Sequence, residues 1–447
     1  MFRVLAALGA LTLALPAAGH YGQDQAGKVP FVVGGTVLGG LTTWGLVSPV
    51  GDHWERVCEE AIGPVAYFAY RRASGDILVG ALDGLLITRD RGCSYQLLSG
   101  ALDALSPSSM ALANGSLFAT SAQYGQQNGV FQSNDDGESW TPVYGPQADL
   151  LLFRISASAD GSHLVATGSR SGASTAPVVL VSTNGGSSFQ DVSSGYAGYV
   201  IASAMGFLED GTSAMIAGLT SANESRVLVA SAGSYASPAI AGDIPGDPPP
   251  EVKHGVSWQG AIWTVAPLAG ALFRKGPSDS AFVQVTDARS GPTNCIFVHP
   301  DGDRLIGCGR QTIGNPGLFM ESTDGATWTG IIDFADVGYR ICPTDTVGFT
   351  ACSTYFEWGC GNGTDDDFDQ LVDCDDEDCV LSCAGEGEGE GEGEGDPGEG
   401  EGEGDVGEGE GEGEPDGCPC SGAGGADLSL LALVLLTWRG RRAASAA

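Results

Sequence analysis

One short turn motif recurs along the chain and constrains its fold more than any other feature. The motif combines Ser or Thr, an acid or Asn, a Gly, a small residue and an aromatic ring. Its four clearest copies are TRDRGCSY, SNDDGESW, STNGGSSF and the shorter STDGATW, with Asp90, Asp135, Asn184 and Asp324 at the acidic position and Tyr95, Trp140, Phe189 and Trp328 at the aromatic position. A chain that repeats one turn in this way is built from repeated structural units.

The spacing of the aromatic residues gives the size of the unit. Weaker copies of the turn extend the series, whose members are Trp54, Tyr95, Trp140, Phe189, Tyr235, Phe282 and Trp328. Successive members lie roughly 46 residues apart, which is the length of one four-stranded propeller blade. The high glycine content, 70 residues, and the low charged fraction of 17% agree with a turn-rich β structure.

A second series of glycines interleaves with the first. Each lies between alternating apolar residues, as expected of a tight β-hairpin, and the series comprises Gly75, Gly115, Gly161, Gly211, Gly260, Gly302 and Gly348. The two series predict an all-β, seven-bladed β-propeller over residues 20–358. We expect the hairpin at Gly348 and the turn at Trp54 to complete one shared blade, because a closed ring removes exposed sheet edges. An open stack of repeats is the alternative.

The acidic turn has a structural explanation. The carboxylate or amide accepts backbone N–H bonds, the glycine supplies positive φ and the hydroxyl closes the loop. We expect the aromatic ring to pack inward against the next blade, where its burial stabilises the ring of sheets by roughly 1.5–3 kcal/mol per side chain.

These motifs resemble the Asp-box, or BNR-like, repeats of the sialidase and sortilin-type superfamily. The resemblance covers roughly residues 30 to 358, and SNDDGESW is its most specific match. It implies that the box is a structural turn on the outer rim, remote from any active site. Accordingly, we expect Asp90, Asp135, Asn184 and Asp324 to have no catalytic role.

Twelve cysteines indicate disulfide formation in an oxidising compartment. Counting back from the turn at Asp301 and Gly302 places Cys295 opposite Cys308, which predicts a disulfide across that hairpin. Cys342 and Cys352 bracket the next expected hairpin in a similar way. Cys58 and Cys93 lie near the first two acidic turns and are left to pair with each other.

Both ends of the chain resemble targeting signals. Residues 1–19 contain Arg3, an apolar run and small residues, which is the layout of a secretory signal peptide. Residues 418–447 contain Cys-Pro-Cys, an apolar run and three arginines, and resemble the myxobacterial type of C-terminal sorting tail. The apolar run is too short for a regular membrane span. We therefore expect an exported protein, held at the cell surface by contact of this tail with the envelope membrane, or else secreted.

Residues 359–383 form a short segment rich in Asp and Cys. Oxygen ligands stand at positions 1, 3, 5, 7, 9 and 12 of a loop, and they are Asp365, Asp367, Asp369, the Leu371 carbonyl, Asp373 and Asp376. Such spacing is typical of a Ca²⁺ site and resembles the thrombospondin and dockerin type of loop, although Asp376 replaces the usual Glu. The alternative is an acidic spacer knotted by disulfides among Cys360, Cys374, Cys379 and Cys383.

The net charge of −36 is concentrated in one part of the chain. Residues 360–417 contain 24 of the 56 acids and no Lys or Arg. Most of them lie in residues 384–417, a Gly-Glu linker that should remain disordered and extended. Because no basic stripe is present to neutralise phosphates, the sequence argues against nucleic acid as a partner.

No constellation of catalytic residues stands out. Arg154 in LFRIS is weakly similar to a sialidase element but is expected to be an ordinary strand residue. The acids Asp83, Glu209, Asp210 and Asp243 lie mostly beside turns, and the histidines are scattered singly. The sequence thus favours a monomeric, non-catalytic propeller that binds extracellular glycans or proteins. The alternatives are a glycoside hydrolase with carboxylates on the central face, or an assembly factor.

Overall fold

A computed structural model describes residues 27–352 except 34, 44, 52, 64, 65, 172–175, 223, 247–251, 253, 268, 269, 288, 311–314, 334, 335 and 341. The signal peptide, the Asp- and Cys-rich segment, the Gly-Glu linker and the sorting tail therefore lie outside the described residues. So do the six oxygen ligands expected for Ca²⁺ and the four cysteines beside them.

The described chain forms seven antiparallel sheets, each made of four consecutive strands. Blades 1 to 3 comprise β1 (Gly27–Val33), β2 (Thr36–Thr42), β3 (Gly45–Val50) and β4 (His53–Val57); β5 (Ala66–Arg71), β6 (Ile77–Ala81), β7 (Gly84–Thr88) and β8 (Gln96–Leu97); and β9 (Pro107–Ala113), β10 (Ser116–Ser121), β11 (Asn128–Ser133) and β12 (Thr141–Gln147).

The remaining blades follow the same order. Blades 4 and 5 comprise β13 (Leu150–Ala157), β14 (Leu164–Arg170), β15 (Ala176–Ser182) and β16 (Gln190–Asp191); and β17 (Tyr199–Phe207), β18 (Ala214–Thr220), β19 (Ser225–Ala230) and β20 (Ala239–Asp243). Blades 6 and 7 comprise β21 (His254–Trp258), β22 (Ala261–Ala266), β23 (Ala271–Lys275) and β24 (Val283–Thr286); and β25 (Cys295–Val298), β26 (Leu305–Cys308), β27 (Phe319–Ser322) and β28 (Thr329–Ile332). Two 3₁₀ turns, Glu59–Ala61 and Ser193–Tyr196, lie between blades.

The seven sheets close into a ring. The first strands of successive blades contact one another in chain order from β1 to β25, and β25 contacts β1. The first strands therefore surround the axis, and the fourth strands lie at the perimeter. This arrangement confirms the seven-bladed propeller and is incompatible with an open stack.

The expectation of a hairpin at Gly348 is wrong. Gly348 lies in a short helix, α1 (Val347–Cys352), where Thr346 accepts a hydrogen bond from the Phe349 N–H at 3.3 Å and so caps the first turn. The seventh hairpin instead joins β1 to β2, and Gly35 in it has a φ of +78°. Blade 1 is therefore complete in the N-terminal part of the chain and does not borrow a hairpin from the C-terminal part.

The C-terminal part still contributes to blade 1 in a different way. A short strand, β29 (Val337–Tyr339), pairs in parallel with β4 and becomes a fifth strand at the outer edge. The Arg56 guanidinium lies 4.0 Å from the centre of the Tyr339 ring, and Arg340 lies 3.6 Å from Glu55. We call residues 337–352 the closing segment, because they join the end of the described chain to the first blade.

Two disulfides fasten the closing segment, and they correct the pairing expected from sequence. Cys58 bonds to Cys352, and Cys93 bonds to Cys342. All four side chains are buried in one apolar cluster with Val57. The expected pairs failed because a helix, not a hairpin, follows Cys342.

The third disulfide confirms the hairpin register. Cys295 and Cys308 are directly opposite each other on β25 and β26 and are bonded, as the sequence predicts. Three disulfides in one propeller indicate an oxidising environment.

The four acidic turns have the same internal hydrogen bonds. In blade 3 the Ser133 hydroxyl donates to Asp135 at 2.7 Å and accepts the Gly137 N–H at 2.8 Å, while Asp135 accepts the Ser139 N–H at 2.9 Å. The turns at Asp90, Asn184 and Asp324 repeat this pattern. In blades 3 and 7 the indole N–H of the terminal Trp also donates to the turn glycine carbonyl at 3.1 Å.

The aromatic residue of each turn packs against the preceding blade, and the expectation that it packs against the next blade is wrong. Trp140 of blade 3 is buried with Leu78 and Ile87 of blade 2, and Trp328 of blade 7 is buried with Trp263 of blade 6. The reason is that the turn itself leans on the preceding blade. A Cβ added to the Gly137 backbone would lie 2.4 Å from the Leu78 side chain, so only glycine allows this approach.

The acidic turns predict a specific response of stability to pH. The pKa of Asp135 is lowered to about 2 from 3.8 by hydrogen bonds from the Ser139 hydroxyl and N–H, and that of Asp324 falls to about 2 because of the Thr327 and Ala326 N–H groups. The stability these carboxylates contribute is therefore present above the ordinary Asp pKa and lost as pH falls towards about 2. Asp135→Asn/Asp324→Asn should flatten the decline in unfolding free energy over this window, measured by urea denaturation.

The control for that experiment removes two charges outside the acidic turns. Asp83→Asn/Asp103→Asn changes exposed loop acids and should leave the wild-type pH profile in place. A profile that is equally steep for the turn variant and for wild type would contradict the proposed contribution of these hydrogen bonds.

The closing disulfides should stabilise the ring more than the hairpin disulfide. They span 294 and 249 residues, against 13 for Cys295–Cys308. The chain-entropy relation gives about 3 kcal/mol for the short loop and about 5 kcal/mol for either long loop alone. Replacing all four closing cysteines by Ser should therefore lower the urea midpoint far more than Cys295→Ser/Cys308→Ser.

Removing one closing disulfide leaves the other to hold the same ends together. Either single pair of substitutions should thus have a clearly smaller effect than the quadruple variant. Equal midpoints for the quadruple variant and the hairpin variant would show that the closing disulfides do not hold the ring.

Candidate functional site

The topology divides the connections between two faces of the ring. Strands within a blade are antiparallel, so the hairpin after the first strand and the acidic turn after the third strand lie on one face, which we call the turn face. A contact between blades supports this placement, because Arg72 in a blade 2 hairpin donates to Glu138 in the blade 3 acidic turn at 2.7 Å. All other connections lie on the opposite face.

The structure keeps the four turn residues apart from one another. Asp90, Asp135, Asn184 and Asp324 lie in blades 2, 3, 4 and 7, and each is bound by its own turn. A carboxylate that accepts several local N–H and O–H bonds, with its pKa held low, is a poor proton donor or acceptor near neutral pH. Their geometry is that of structural turns.

The other acids considered from sequence are also engaged in structural contacts. Glu209 accepts the Gly260 N–H at 3.0 Å, which links blades 5 and 6. Asp210 accepts the Ser213 hydroxyl at 2.6 Å inside its hairpin, and Asp243 pairs with Arg226 at 2.9 Å on the perimeter of blade 5. Asp83 lies in the short loop between β6 and β7. These positions do not form a carboxylate pair around the axis.

A group of three side chains does meet at the axis. The Arg154 Nη1 donates to the His254 Nε2 at 2.8 Å, and the His254 ring lies 5.7 Å from the Phe297 ring between centroids. Arg154 lies on β13 of blade 4, His254 on β21 of blade 6, and blade 5 separates the two. Their contact therefore bridges the inner strand of blade 5. We call these three residues the central cluster.

The central cluster combines a cation, an imidazole and an aromatic ring. All three side chains are half-buried, so each is partly exposed to solvent. Because His254 accepts from Arg154 through Nε2, its proton lies on Nδ1 in this geometry. A guanidinium beside an aromatic face can bind a carboxylate by charge-assisted hydrogen bonds or stack a planar or sugar-ring group.

Sequence reasoning missed this cluster. It treated Arg154 as an ordinary strand residue and His254 as an isolated histidine. The usable signal was that both lie on the first strand of a blade, which surrounds the axis. Their pairing across a blade could not be read from the chain, since it depends on the curvature of the ring.

A second feature lies where the ring closes, between blades 7 and 1. Here a cleft with a volume of about 260 Å³ is lined by β1–β2 hairpin residues of blade 1 and by residues of blade 7, among them Gly35, Thr36, His299, Arg304, Ile306 and Glu321. In the clearest acidic turns a turn glycine presses on the preceding blade, as Gly186 does on Phe118. A Cβ at Gly51 in the blade 1 turn, or at Gly233 in the blade 5 turn, would meet nothing within 4 Å.

One wall of the cleft carries a histidine and two acids. His299 is 2% exposed, its Nε2 donates to the Gly35 carbonyl at 2.7 Å, and its Nδ1 accepts the Asp301 N–H at 3.2 Å. The Asp301 and Asp303 carboxylates lie 3.5 and 3.6 Å from Nδ1. We call these three residues the closure cluster. In the sequence His299 is one of several singly scattered histidines, and the hairpin brings its ring beside two acids.

Within the part of the chain that the structure describes, no helix is both long and apolar enough to cross a membrane. No family model matches the sequence, and no curated protein matches it.

Solved structures resemble the fold. Virginiamycin B lyase from Staphylococcus aureus aligns with 64% of this chain and 87% of its own, at 11% identity and a TM-score of 0.44. TolB from Acinetobacter baumannii aligns with 59% of this chain and 62% of its own, at 15% identity and a TM-score of 0.38. A nidogen–laminin complex aligns over 59% and 95%, at 8% identity and a TM-score of 0.38. At these identities the likeness concerns the propeller fold and leaves ligand and activity open.

Proposed function

We propose that this protein is an exported, surface-held β-propeller that binds extracellular glycans or proteins through the axis of its ring and catalyses no reaction. The observation that carries this proposal is the central cluster, in which Arg154, His254 and Phe297 converge from three blades. A rigid ring positions these groups without loop movement, which lowers the entropic cost of binding.

The chemistry of the cluster favours a ligand that presents a carboxylate beside a flat or ring-shaped surface. Acidic sugars and acidic peptide side chains both have this combination. An arginine can form two parallel hydrogen bonds to a carboxylate, and an aromatic ring covers the apolar face of a sugar or side chain. Outside residues 360–417 the chain has 32 acids against 20 Lys and Arg, so an arginine at the axis provides a local positive charge for an anionic group in an otherwise acidic ring.

Export and attachment to the cell surface rest on several features. The three disulfides agree with an oxidising compartment. The leader-like residues 1–19, the Gly-Glu linker 384–417 and the arginine-ended tail 418–447 are arranged as export signal, spacer and anchor. The acidic turns, with their Asp-box pattern, then serve only to build the ring.

The acids considered for catalysis already have structural partners, which argues against the alternative that the protein is a glycoside hydrolase. A glycoside hydrolase needs two carboxylates about 5–10 Å apart across the substrate. Glu209, Asp210 and Asp243 have structural partners in hairpins or at the perimeter.

Substitution of the axial arginine tests the binding proposal. The exported full-length chain should bind carboxylate-bearing glycans on an array more strongly than their neutral counterparts. Arg154→Gln should weaken that binding about tenfold or more, because it removes a charge-assisted hydrogen bond. Arg226→Gln is the matched control, since it removes an arginine that pairs with Glu224 and Asp243 at the perimeter, and it should bind as wild type does.

Three results would count against this function. Turnover of a glycan by the wild-type protein would replace binding by hydrolysis. Equal affinity of the wild type and Arg154→Gln would move the site away from the axis. Absence of binding to every glycan would remove the glycan part of the proposal and leave acidic proteins as the ligand class.

We also propose that residues 365–376 bind Ca²⁺ weakly. The spacing of five aspartates and one carbonyl supports this proposal. Asp365→Asn/Asp376→Asn should abolish a Ca²⁺ titration signal that Asp83→Asn retains, measured by calorimetry on the full-length chain. An unchanged signal would show that Ca²⁺ binds elsewhere.

A further inference from the structure

The seven first strands, which surround the axis, carry charge of one sign only. Their charged residues are Lys28 on β1, Arg71 on β5 and Arg154 on β13, and β21 adds His254. None of these seven strands contains an Asp or Glu, although the chain outside residues 360–417 has 32 acids against 20 Lys and Arg. The inner strands of this acidic ring are therefore basic, and a basic channel attracts anionic groups.

Five of the seven first strands, all of which the structure describes, have a β-bulge in their first half. In each case the first strand has one extra residue relative to the second strand of the blade, and these residues are Lys28, Tyr67, Ser108, Phe153 and Val200. All five are half-buried. A bulge interrupts the alternation of side chains and re-aims those beside it, and bulges are common next to active sites.

The contacts of two bulged residues show which way the bulges direct side chains. Tyr67 of blade 2 packs against an apolar cluster that contains Trp140 of blade 3. The Ser108 hydroxyl of blade 3 donates to the Leu152 carbonyl of blade 4. Both therefore face the following blade. Lys28 stands at the equivalent position of blade 1, and the residue after it packs in the apolar cluster shared with blade 2.

The bulge in blade 4 directs Arg154 in the same way. Leu152 and Ile155 are three residues apart, yet both pack in the apolar cluster shared with blade 3. Residues an odd number apart otherwise lie on opposite sides of a strand, so the extra residue Phe153 reverses the alternation. Arg154 therefore faces blade 5, beyond which its guanidinium reaches His254 of blade 6 at 2.8 Å.

Lys28 and Arg154 lie on well-separated inner strands and at different depths. Blades 2 and 3 separate them on one side of the ring, and blades 5, 6 and 7 on the other. Lys28 stands five residues before the end of β1, whereas Arg154 stands three residues before the end of β13. At about 3.3 Å per residue, the two positions are offset by roughly 7 Å along the axis. A ligand that contacts both cations must be extended and carry more than one negative group.

We propose that the axial site takes a linear acidic oligosaccharide with a carboxylate on successive sugar units, and that Lys28 binds a second carboxylate while Arg154 binds the first. This inference rests on the proposed function, because it extends the same site along the axis. A lysine suits the second contact, since its ammonium is a point charge on a flexible stem. The half-buried rings of Phe153 and Phe297 favour a sugar over an acidic peptide, because aromatic rings cover the apolar faces of sugars.

The test compares galacturonic acid and its trimer as ligands of the exported full-length chain, by calorimetry at one ionic strength. The trimer should bind at least about tenfold more tightly than the monomer, because it adds a second charge-assisted contact. Lys28→Gln should reduce this preference to the one expected from the number of sugar units alone and leave the Kd of the monomer unchanged. Arg154→Gln should weaken the binding of both ligands.

Two variants serve as controls. Lys275→Gln removes a lysine on the third strand of blade 6, which donates to the Asp279 carbonyl, and it should keep the trimer preference. Lys28→Arg preserves the charge and should keep the preference as well. This result separates recognition by the cation from a structural role of the lysine stem.

The possible failures can be told apart. An equal trimer preference in wild type and Lys28→Gln overturns this inference, as does an oligoglutamate of equal charge that binds more tightly than the trimer. In either case, weaker binding by Arg154→Gln leaves the proposed function in place. Equal binding by Arg154→Gln and wild type overturns both.

Discussion

The seating of each turn on the preceding blade is the contact on which the ring depends. A glycine at positive φ lets the turn backbone reach the neighbouring sheet, and the aromatic residue that follows fills the space between the two blades. At Gly137 the φ of +91° and the approach to within 2.4 Å of the Leu78 side chain both favour a residue without a Cβ. Each blade thus completes the core of the blade before it, and this dependence runs in one direction around the ring.

In a closed ring blade 1 must also pack against blade 7, the last blade, and this interface differs from the others. A Cβ at Gly51 in the blade 1 turn would meet nothing within 4 Å, whereas Trp54 of the same turn packs in one apolar cluster with blade 7. On the other side of blade 1, β29 pairs with β4 and two disulfides tie the closing segment to blades 1 and 2. An added strand and two covalent bonds therefore supplement the apolar packing where the ring closes.

The sequence predicted the repeated turns and the blade count, but it did not predict which neighbouring blade each aromatic residue packs against. The turns at Asp135 and Asp324 could be recognised because they occur in several copies, and the Cys295–Cys308 bond could be placed by counting from a hairpin. Gly348 resembled the hairpin glycines only by spacing, and the Thr346 cap makes it helical. The partners of Cys58 and Cys93 lie 294 and 249 residues away, beyond any local rule. The Arg154–His254 contact depends on the curvature of a closed ring.

The distribution of donors and acceptors explains why the two candidate sites lie where the repeat is broken. An acid in a regular turn has its lone pairs occupied by local hydroxyl and N–H groups, as Asp160 shows, and so it has little capacity left for a ligand. A ligand can bind where a residue of another kind replaces one that occurs at the same position in the other repeats. In the blade 7 hairpin His299 and Asp303 stand where blade 4 has Ser158 and Ser162, so Asp301 lacks the two hydroxyl donors that Asp160 has. At the axis, Arg154 introduces a cation into a protein whose net charge is strongly negative. Residues that differ from those at the equivalent positions of the other blades therefore indicate, better than the repeated turns do, where this propeller recognises other molecules.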